Sequence, residues 1–249
     1  MFDYINKLYR NVGQVEILEK VETTTSIRRR EITKAVVRSL VDTANIKSIL
    51  EIGPASGYIT QGICEILEEK NRVKFDILDF SDSFIQTTKR RDLHINNAHI
   101  ADIASVDFHI GGQYDLILCQ EVIEHLTCPY VAVNNINGIL NSNGYLFLTL
   151  PNASYYRNLL KAIKLTKTKR GVSVKDTHIA ELSVLGVIKL LSMSGFEIIE
   201  TFYYSSATPF LDVLLSEQVG FLSRKVSSPK DCWSELEARI LRSWQEKNV

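Results

Sequence analysis

Between residues 47 and 151 the sequence switches repeatedly between apolar runs of strand length and helical patterns. "KSILEIG" is followed by "YITQGICEILEE", and "VKFDILDF" by "SDSFIQTTKR". "AHIADI" then leads to "YDLILCQ", "VAVNNINGILNSNG" and "YLFLTLPN". Strands that read as nearly continuous apolar runs are buried on both faces, and the helices between them supply the cover. The alternation therefore specifies a mostly parallel sheet with helices on both sides. Upstream, "IRRREITKAVVRSLVDTA" sets Ile32, Val36, Val37, Leu40 and Val41 on one helical stripe. After Pro151 the pattern changes. Residues 152–178 are polar and basic, 180–194 are helical, "FEIIETFYY" is another strand, and "VGFLSRKV" reads as a final, antiparallel edge strand. The tail "CWSELEARILRSW" aligns Trp233, Leu236, Ile240, Leu241 and Trp244 on one helical face. The expected organisation is an N-terminal helical cap (1–45), an α/β domain (46–226) and a C-terminal amphipathic helix (227–249). The stripe is too apolar to face water alone, so it is expected to pack on the domain or on a partner subunit, a homodimer being the favoured of the two.

Composition narrows the partners. Lys plus Arg equals Asp plus Glu, 29 each, so no global field recruits nucleic acid. The cysteines Cys64, Cys119, Cys128 and Cys232 form no C-x-x-C pair and read as free thiols of a reducing compartment. The opening "MFDYINKLYRNVGQ" has no basic segment followed by an apolar core, so no signal peptide is expected. No stretch approaches the roughly 18 apolar residues that span a bilayer. These features together give the expectation of a cytoplasmic protein.

Residues that carry chemistry gather at strand ends. "ILEIGPASG" ends a strand in a turn whose glycines allow tight bending and close approach of a ligand. Glu51, Asp79 and Asp102 stand at the ends of three successive strands, the edge where open α/β sheets bind ligands. Each Asp taken alone also suits a helix N-cap or a turn. "CQEVIEHL" follows the fourth strand. If a helix starts there, Glu121, Glu124 and His125 share one face. Such a cluster binds or reacts, or else it is a solvated first turn whose acids suit the helix dipole. His94, His99 and His109 fall in or beside turns and read as surface residues, and "SIRRRE" reads as a solvated helix face.

"ILEIGPASGYIT", "LDFS", "ADI", "YDLILCQEVIEHL" and "GYLFLTLPN" occur in the order seen in class I S-adenosylmethionine-dependent methyltransferases, which the chain resembles over roughly residues 47–204. The resemblance implies a Rossmann-like, doubly wound, mostly parallel seven-stranded sheet with helical appendages at both ends. It also implies S-adenosylmethionine as cofactor. Glu51 and Gly53 would line its methionine part, and Gly57 would allow close approach. Asp79 would hold the ribose, Asp102 and Ile103 the adenine, with Phe80 and Gln120 beside them. Ala55 also lies in this loop, where the family usually has Gly. The absence of a G-x-G-x-x-G phosphate cradle fits a cofactor without phosphates.

"EVIEHL", "LPN" and the later His178 are similar to the branch with ubiquinone-pathway O-methyltransferases and small-RNA 3′-terminal 2′-O-methyltransferases. In that branch the cluster and the distant histidine hold a divalent ion. Glu121, Glu124, His125 and His178 would be the ligands here, suited to Mg²⁺, Mn²⁺, Fe²⁺, Co²⁺ or Zn²⁺. A second reading keeps His125 as a metal-free base oriented by Glu124 or Glu121, and a third leaves a capped helix start. No Asn-Pro-Pro-Tyr motif follows the fourth strand, which argues against amide or base N-methylation. Residues 151–180 would form the acceptor site or a lid. The run Arg157, Lys161, Lys164, Lys167, Lys169, Arg170 and Lys175 suits an anionic acceptor such as a phosphorylated or nucleotide-linked metabolite, a solvated loop, or membrane-surface contact through the interleaved Leu159, Leu160, Ile163 and Leu165. The expected activity is O-methylation of a small polar or anionic metabolite. The alternatives are a terminal RNA 2′-O-methyltransferase, disfavoured by the neutral charge, and a silent cofactor-binding partner protein.

Overall fold

The computed structural model describes residues 24–68, 70, 72–158, 160, 163, 178–204 and 211–230. Its centre is a seven-stranded sheet. The strands are β1 (Ser48–Ile52), β2 (Lys74–Asp79), β3 (Asn97–Ile100), β4 (Tyr114–Gln120), β5 (Leu140–Pro151), β6 (Phe196–Tyr203) and β7 (Gln218–Lys225). They lie in the order β3-β2-β1-β4-β5-β7-β6. The first five run parallel, and β7 pairs antiparallel with both β5 and β6. The expected seven-stranded, mostly parallel, doubly wound sheet is therefore present. One expectation is corrected: "VGFLSRKV" is not the edge. β7 lies between β5 and β6 because Val219 to Ser223 are buried on both faces and need a neighbour on each side. The edge is β6, where Glu197 and Glu200 interrupt the apolar run and meet water.

Period-two alternation sorts the strand side chains onto two cores. Leu50, Ile52, Ile117, Cys119, Leu146, Leu148 and Leu150 face α4 (Pro129–Ile139) and α5 (Val184–Met193). Ile49, Phe75, Ile77, Leu116, Leu118 and Phe147 face α1 (Thr24–Thr43), α2 (Tyr58–Leu67) and α3 (Asp82–Lys89). On α1 the expected stripe is the buried one: Val36, Val37 and Leu40 enter the core, and Ile32 and Val41 pack against it. A short helix, α6 (Asp212–Leu215), precedes β7.

The same alternation positions the site. On the α1 side the apolar residues give way to polar ones as each strand reaches its carboxyl end. Glu51 follows Ile49, Asp79 follows Ile77, Gln120 follows Leu118 and Thr149 follows Phe147. All four are buried. The "LPN" asparagine has a structural task, since Asn152 Nδ2 donates to the carbonyls of Val213 and Ser216 at 2.6 and 2.9 Å. Among the described residues no helix is long and apolar enough to cross a membrane. Residues 1–23, most of the basic run 157–175 and the tail stripe from Trp233 to Trp244 lie outside the described residues.

Candidate active site

The turn after β1 is held in left-handed backbone at three positions: Gly53 (φ +73°), Ala55 (φ +46°) and Gly57 (φ +75°). At Gly53 a side chain is excluded, because a Cβ would lie 2.5 Å from Val122 Cγ2. At Gly57 a Cβ would lie 2.9 Å from Arg91 Cδ. Ala55 carries its methyl in a conformation costing about 1–2 kcal/mol for a residue with a Cβ. Two side chains hold this turn. Thr88 Oγ1 donates to the Ala55 carbonyl at 3.3 Å, and Arg91 Nε to the Ser56 carbonyl at 2.6 Å. Neither stood out in the sequence, where "TTKRRD" reads only as a polar helix end.

Two buried acids flank the turn. Glu51 is 3% exposed, and burial raises its pKa to about 7, opposed by the Thr60 hydroxyl. Its Oε2 has no hydrogen-bond partner among the described residues. Asp79 is 5% exposed and likewise raised to about 7 by burial, opposed by the amides of Ser81 and Phe80. The Ser81 amide donates to Asp79 Oδ1 at 2.8 Å. Buried carboxylates so poorly partnered gain from a ligand that brings hydroxyl or ammonium donors. Asp102 Oδ1 accepts from the Ala104 amide at 2.8 Å, and Ile103 is buried with its carbonyl accepting from Asn135 Nδ2. Phe80 is 41% exposed beside Asp79. Gln120 Oε1 accepts from Thr33 Oγ1 at 3.0 Å, while its Nε2 has no partner among the described residues.

The "EVIEHL" segment differs from a helix start. Glu121 has φ +54°, and a single 3₁₀ turn (Ile123–His125) follows. The reason lies in the sheet. The Glu121 amide donates to the Thr149 carbonyl at 2.9 Å, continuing the β4–β5 pairing one residue beyond β4. The left-handed residue then turns the chain, and a regular helix begins only at Pro129. Glu121 and Glu124 therefore do not share a helical face. Thr149 Oγ1 donates to Glu121 Oε1 at 3.1 Å and Gln218 Nε2 to Oε2 at 2.9 Å. Arg29 Nη1 lies 3.4 Å from the same Oε2.

Glu124, 2% exposed, has neither oxygen hydrogen-bonded among the described residues. Burial, and after it the charge of Glu121, raises its pKa to about 8. Its carbonyl accepts from the amides of Ile179 and Ala180 at 2.7 and 2.9 Å, which docks His178 beside it. The rings of His125 and His178 meet edge-on, centroids 5.0 Å apart. One ligand atom from each of Glu124, His125 and His178 lies within 4.8 Å of the other two. Three of the four expected metal ligands thus converge, and Glu121 is outside that group.

Two further expectations are corrected. Of the three arginines of "SIRRRE", Arg28 is exposed as expected, but Arg29 and Arg30 are half-buried, because α1 lies across the carboxyl edge of the sheet. Arg28 Nη1 donates to the Tyr204 carbonyl at 3.0 Å, Arg29 pairs with Glu121, and Arg30 pairs with Glu65 at 2.7 Å and lies over the Tyr58 ring. His99 is not in a turn but on β3, its Nε2 3.4 Å from Asp76 Oδ2 and 3.3 Å from the Tyr114 hydroxyl.

Residues 25–201 match the family model described as a methyltransferase domain. The chain belongs to that family. The fold has wide likenesses among solved structures. N-methyltransferase NodS from Bradyrhizobium japonicum WM9, in complex with S-adenosyl-L-homocysteine, is 18% identical with a TM-score of 0.60, covering 90% of this chain and 98% of its own. Magnesium protoporphyrin IX methyltransferase ChlM from Synechocystis PCC 6803, also with bound S-adenosylhomocysteine, is 16% identical with a TM-score of 0.59, covering 90% and 94%. The plantazolicin methyltransferase BamL is 13% identical with a TM-score of 0.56, covering 90% and 91%. A comparison with curated protein sequences finds no match. The methyltransferase is of class I, dependent on S-adenosylmethionine. Its Gly53 turn, the orphaned Glu51 oxygen and the underused Asp79 carboxylate fit that cofactor's amine and ribose hydroxyls.

Proposed function

We propose that the methyltransferase transfers a methyl group to a hydroxyl of a small polar or anionic metabolite, with a divalent ion held by Glu124, His125 and His178. The observation that carries this reading is Glu124, a buried carboxylate with two unpartnered oxygens beside two imidazoles. The cluster adjoins the cofactor turn, because Val122, two residues before Glu124, packs on Gly53. A carboxylate and two imidazoles suit a first-row divalent ion and leave positions open for substrate oxygens. Bound S-adenosylmethionine supplies an electrophilic methyl on sulfonium, and a bound divalent ion supplies Lewis acidity that lowers the pKa of a hydroxyl.

The chain's own residues then have separate tasks. Asp79 and Glu51 orient the cofactor, and the Gly53 turn lets the backbone approach it. Glu124, His125 and His178 would hold the ion, whose Lewis acidity would act on the acceptor hydroxyl. The docking of Ile179 and Ala180 on the Glu124 carbonyl ties the end of segment 151–180 to the site, as an acceptor-side segment requires. The metal-free alternative makes His125 a base oriented by a carboxylate. Two distances disfavour it: His125 Nε2 is 3.9 Å from Glu124 Oε1, beyond hydrogen-bond reach, and both Glu121 oxygens are taken by other donors. Of the acceptors, a metabolite is favoured over RNA by the equal numbers of acidic and basic residues.

The test is methyl transfer from labelled cofactor into a metabolite extract, with divalent ions stripped and then restored. Label should enter a hydroxylated product only with the ion present. His178→Ala should lower turnover at least about tenfold while leaving cofactor affinity nearly intact. Full activity after exhaustive chelation, with no metal by elemental analysis, would leave the His125 base model standing.

A further inference from the structure

Glu121, half-buried, and Glu124, buried, are three residues apart at the same edge, yet their carboxylates are in opposite situations. Every oxygen of Glu121 has a donor, and the donors come from three elements: Thr149 on β5, Gln218 on β7 and Arg29 on α1. Neither oxygen of Glu124 has one among the described residues. Moving the Glu121 carboxylate off these donors would leave the half-buried Arg29 side chain without its counter-charge. Stranding one partner of a buried ion pair is strongly unfavourable.

From this we propose that the divalent site of the methyltransferase has three protein ligands, and that Arg29 is the positioning residue that withholds Glu121 from it. The proposal rests on the metal reading above and deepens it. Its consequence is electrostatic. With Arg29 opposite Glu121 the pair is neutral, so an ion there would meet a single carboxylate and two imidazoles. Net positive charge and open coordination positions remain for an ionised or anionic acceptor oxygen. A fourth, carboxylate ligand would cancel that charge and fill a position. Because Arg29 sits on α1, the seating of that helix sets the ligand number.

The test is Mn²⁺ titration of the full chain by calorimetry, with electron paramagnetic resonance of the bound ion. The variants are His178→Ala, Arg29→Gln and the pair Arg29→Gln with Glu121→Gln. Losing a true ligand should weaken Mn²⁺ at least about tenfold, as expected of His178→Ala, whereas the charge-neutral double variant should stay within about threefold of the parent. Arg29→Gln alone should bind more tightly, since Glu121 is freed toward the ion, and the added Glu121→Gln should abolish that gain. Should Arg29→Gln fail to fold by near-ultraviolet circular dichroism, the double variant decides alone, because it removes both charges of the pair together. A double variant weakened as much as His178→Ala makes Glu121 a fourth ligand and overturns the proposal. Absence of Mn²⁺ binding by the parent chain overturns the metal reading itself, and the role of Arg29 with it.

Discussion

Asp79 and Glu51 are carboxylates in a medium that disfavours their charge, and in the cofactor site we propose this makes binding a proton-linked event. Both pKa values are raised by burial to about 7. The folded protein without cofactor therefore holds these protons where the unfolded chain has released them. Their contribution to stability is fully present below the ordinary carboxylate range and is lost as pH rises through about 7. Unfolding free energy of the cofactor-free protein should fall between pH 5 and 8, and fall less in Asp79→Asn, as read by urea titrations. Cofactor affinity should move the other way, rising over the same window, because the ionised carboxylate is the better acceptor for ribose hydroxyls. Replacing Asp79 by Ala should cost about 1.5–3 kcal/mol of cofactor binding, roughly ten- to more than a hundredfold, by calorimetry. At Ala55 the direction is reversed. Its left-handed φ disfavours a methyl, while glycine adds unfolded-state entropy, so Ala55→Gly should gain at most about 1 kcal/mol of stability with cofactor affinity retained.

At the scale of elements, the legible features were those with a local period. β1, β2, β4 and β5 are apolar runs bounded by turn residues, and the buried stripe of α1 repeats every three or four positions. The acids at the ends of β1 and β2 were legible for the same reason, since they interrupt an apolar strand where a ligand edge must lie. What failed depended on neighbours distant in the chain. Glu121 looked like the first turn of a helix because its backbone is decided by pairing with Thr149 on β5, which spacing cannot reveal. Arg29 looked solvated because its partner belongs to another element. The place of β7 inside the sheet also depends on a distant partner, although the nearly unbroken "VGFLS" signals an interior strand and the acids of β6 an edge. α1 is part of the core as well as the wall of the site. Truncating Leu40 to Ala should cost about 2–5 kcal/mol in denaturant unfolding, as for other buried leucines.

Over the whole molecule, the sheet brings the proposed cofactor turn and the proposed metal cluster to one edge. The Gly53 turn rises from β1, and Glu124 and His125 of the proposed metal cluster follow the end of β4, its neighbour in the parallel ladder, with Val122 filling the space against Gly53. Lys230, the last described residue, donates its amide to the Met193 carbonyl and accepts from the Tyr130 hydroxyl, which seats it beside the end of α5. Ending the chain after Lys230 should convert a dimer to monomers or lower stability, because it removes the Trp233 to Trp244 stripe. Sedimentation at the parent's size with unchanged unfolding would oppose both outcomes. The joining of cofactor and metal sites is tested most directly by nuclear magnetic resonance of S-adenosylmethionine carrying a ¹³C-labelled methyl, bound to the full chain. Adding Mn²⁺ should broaden that methyl resonance strongly, Mg²⁺ should leave it sharp, and His178→Ala should abolish the broadening at the same Mn²⁺ concentration. A methyl resonance equally sharp with Mn²⁺ and with Mg²⁺, in a chain that binds both ion and cofactor, would mean that the two sites are not one.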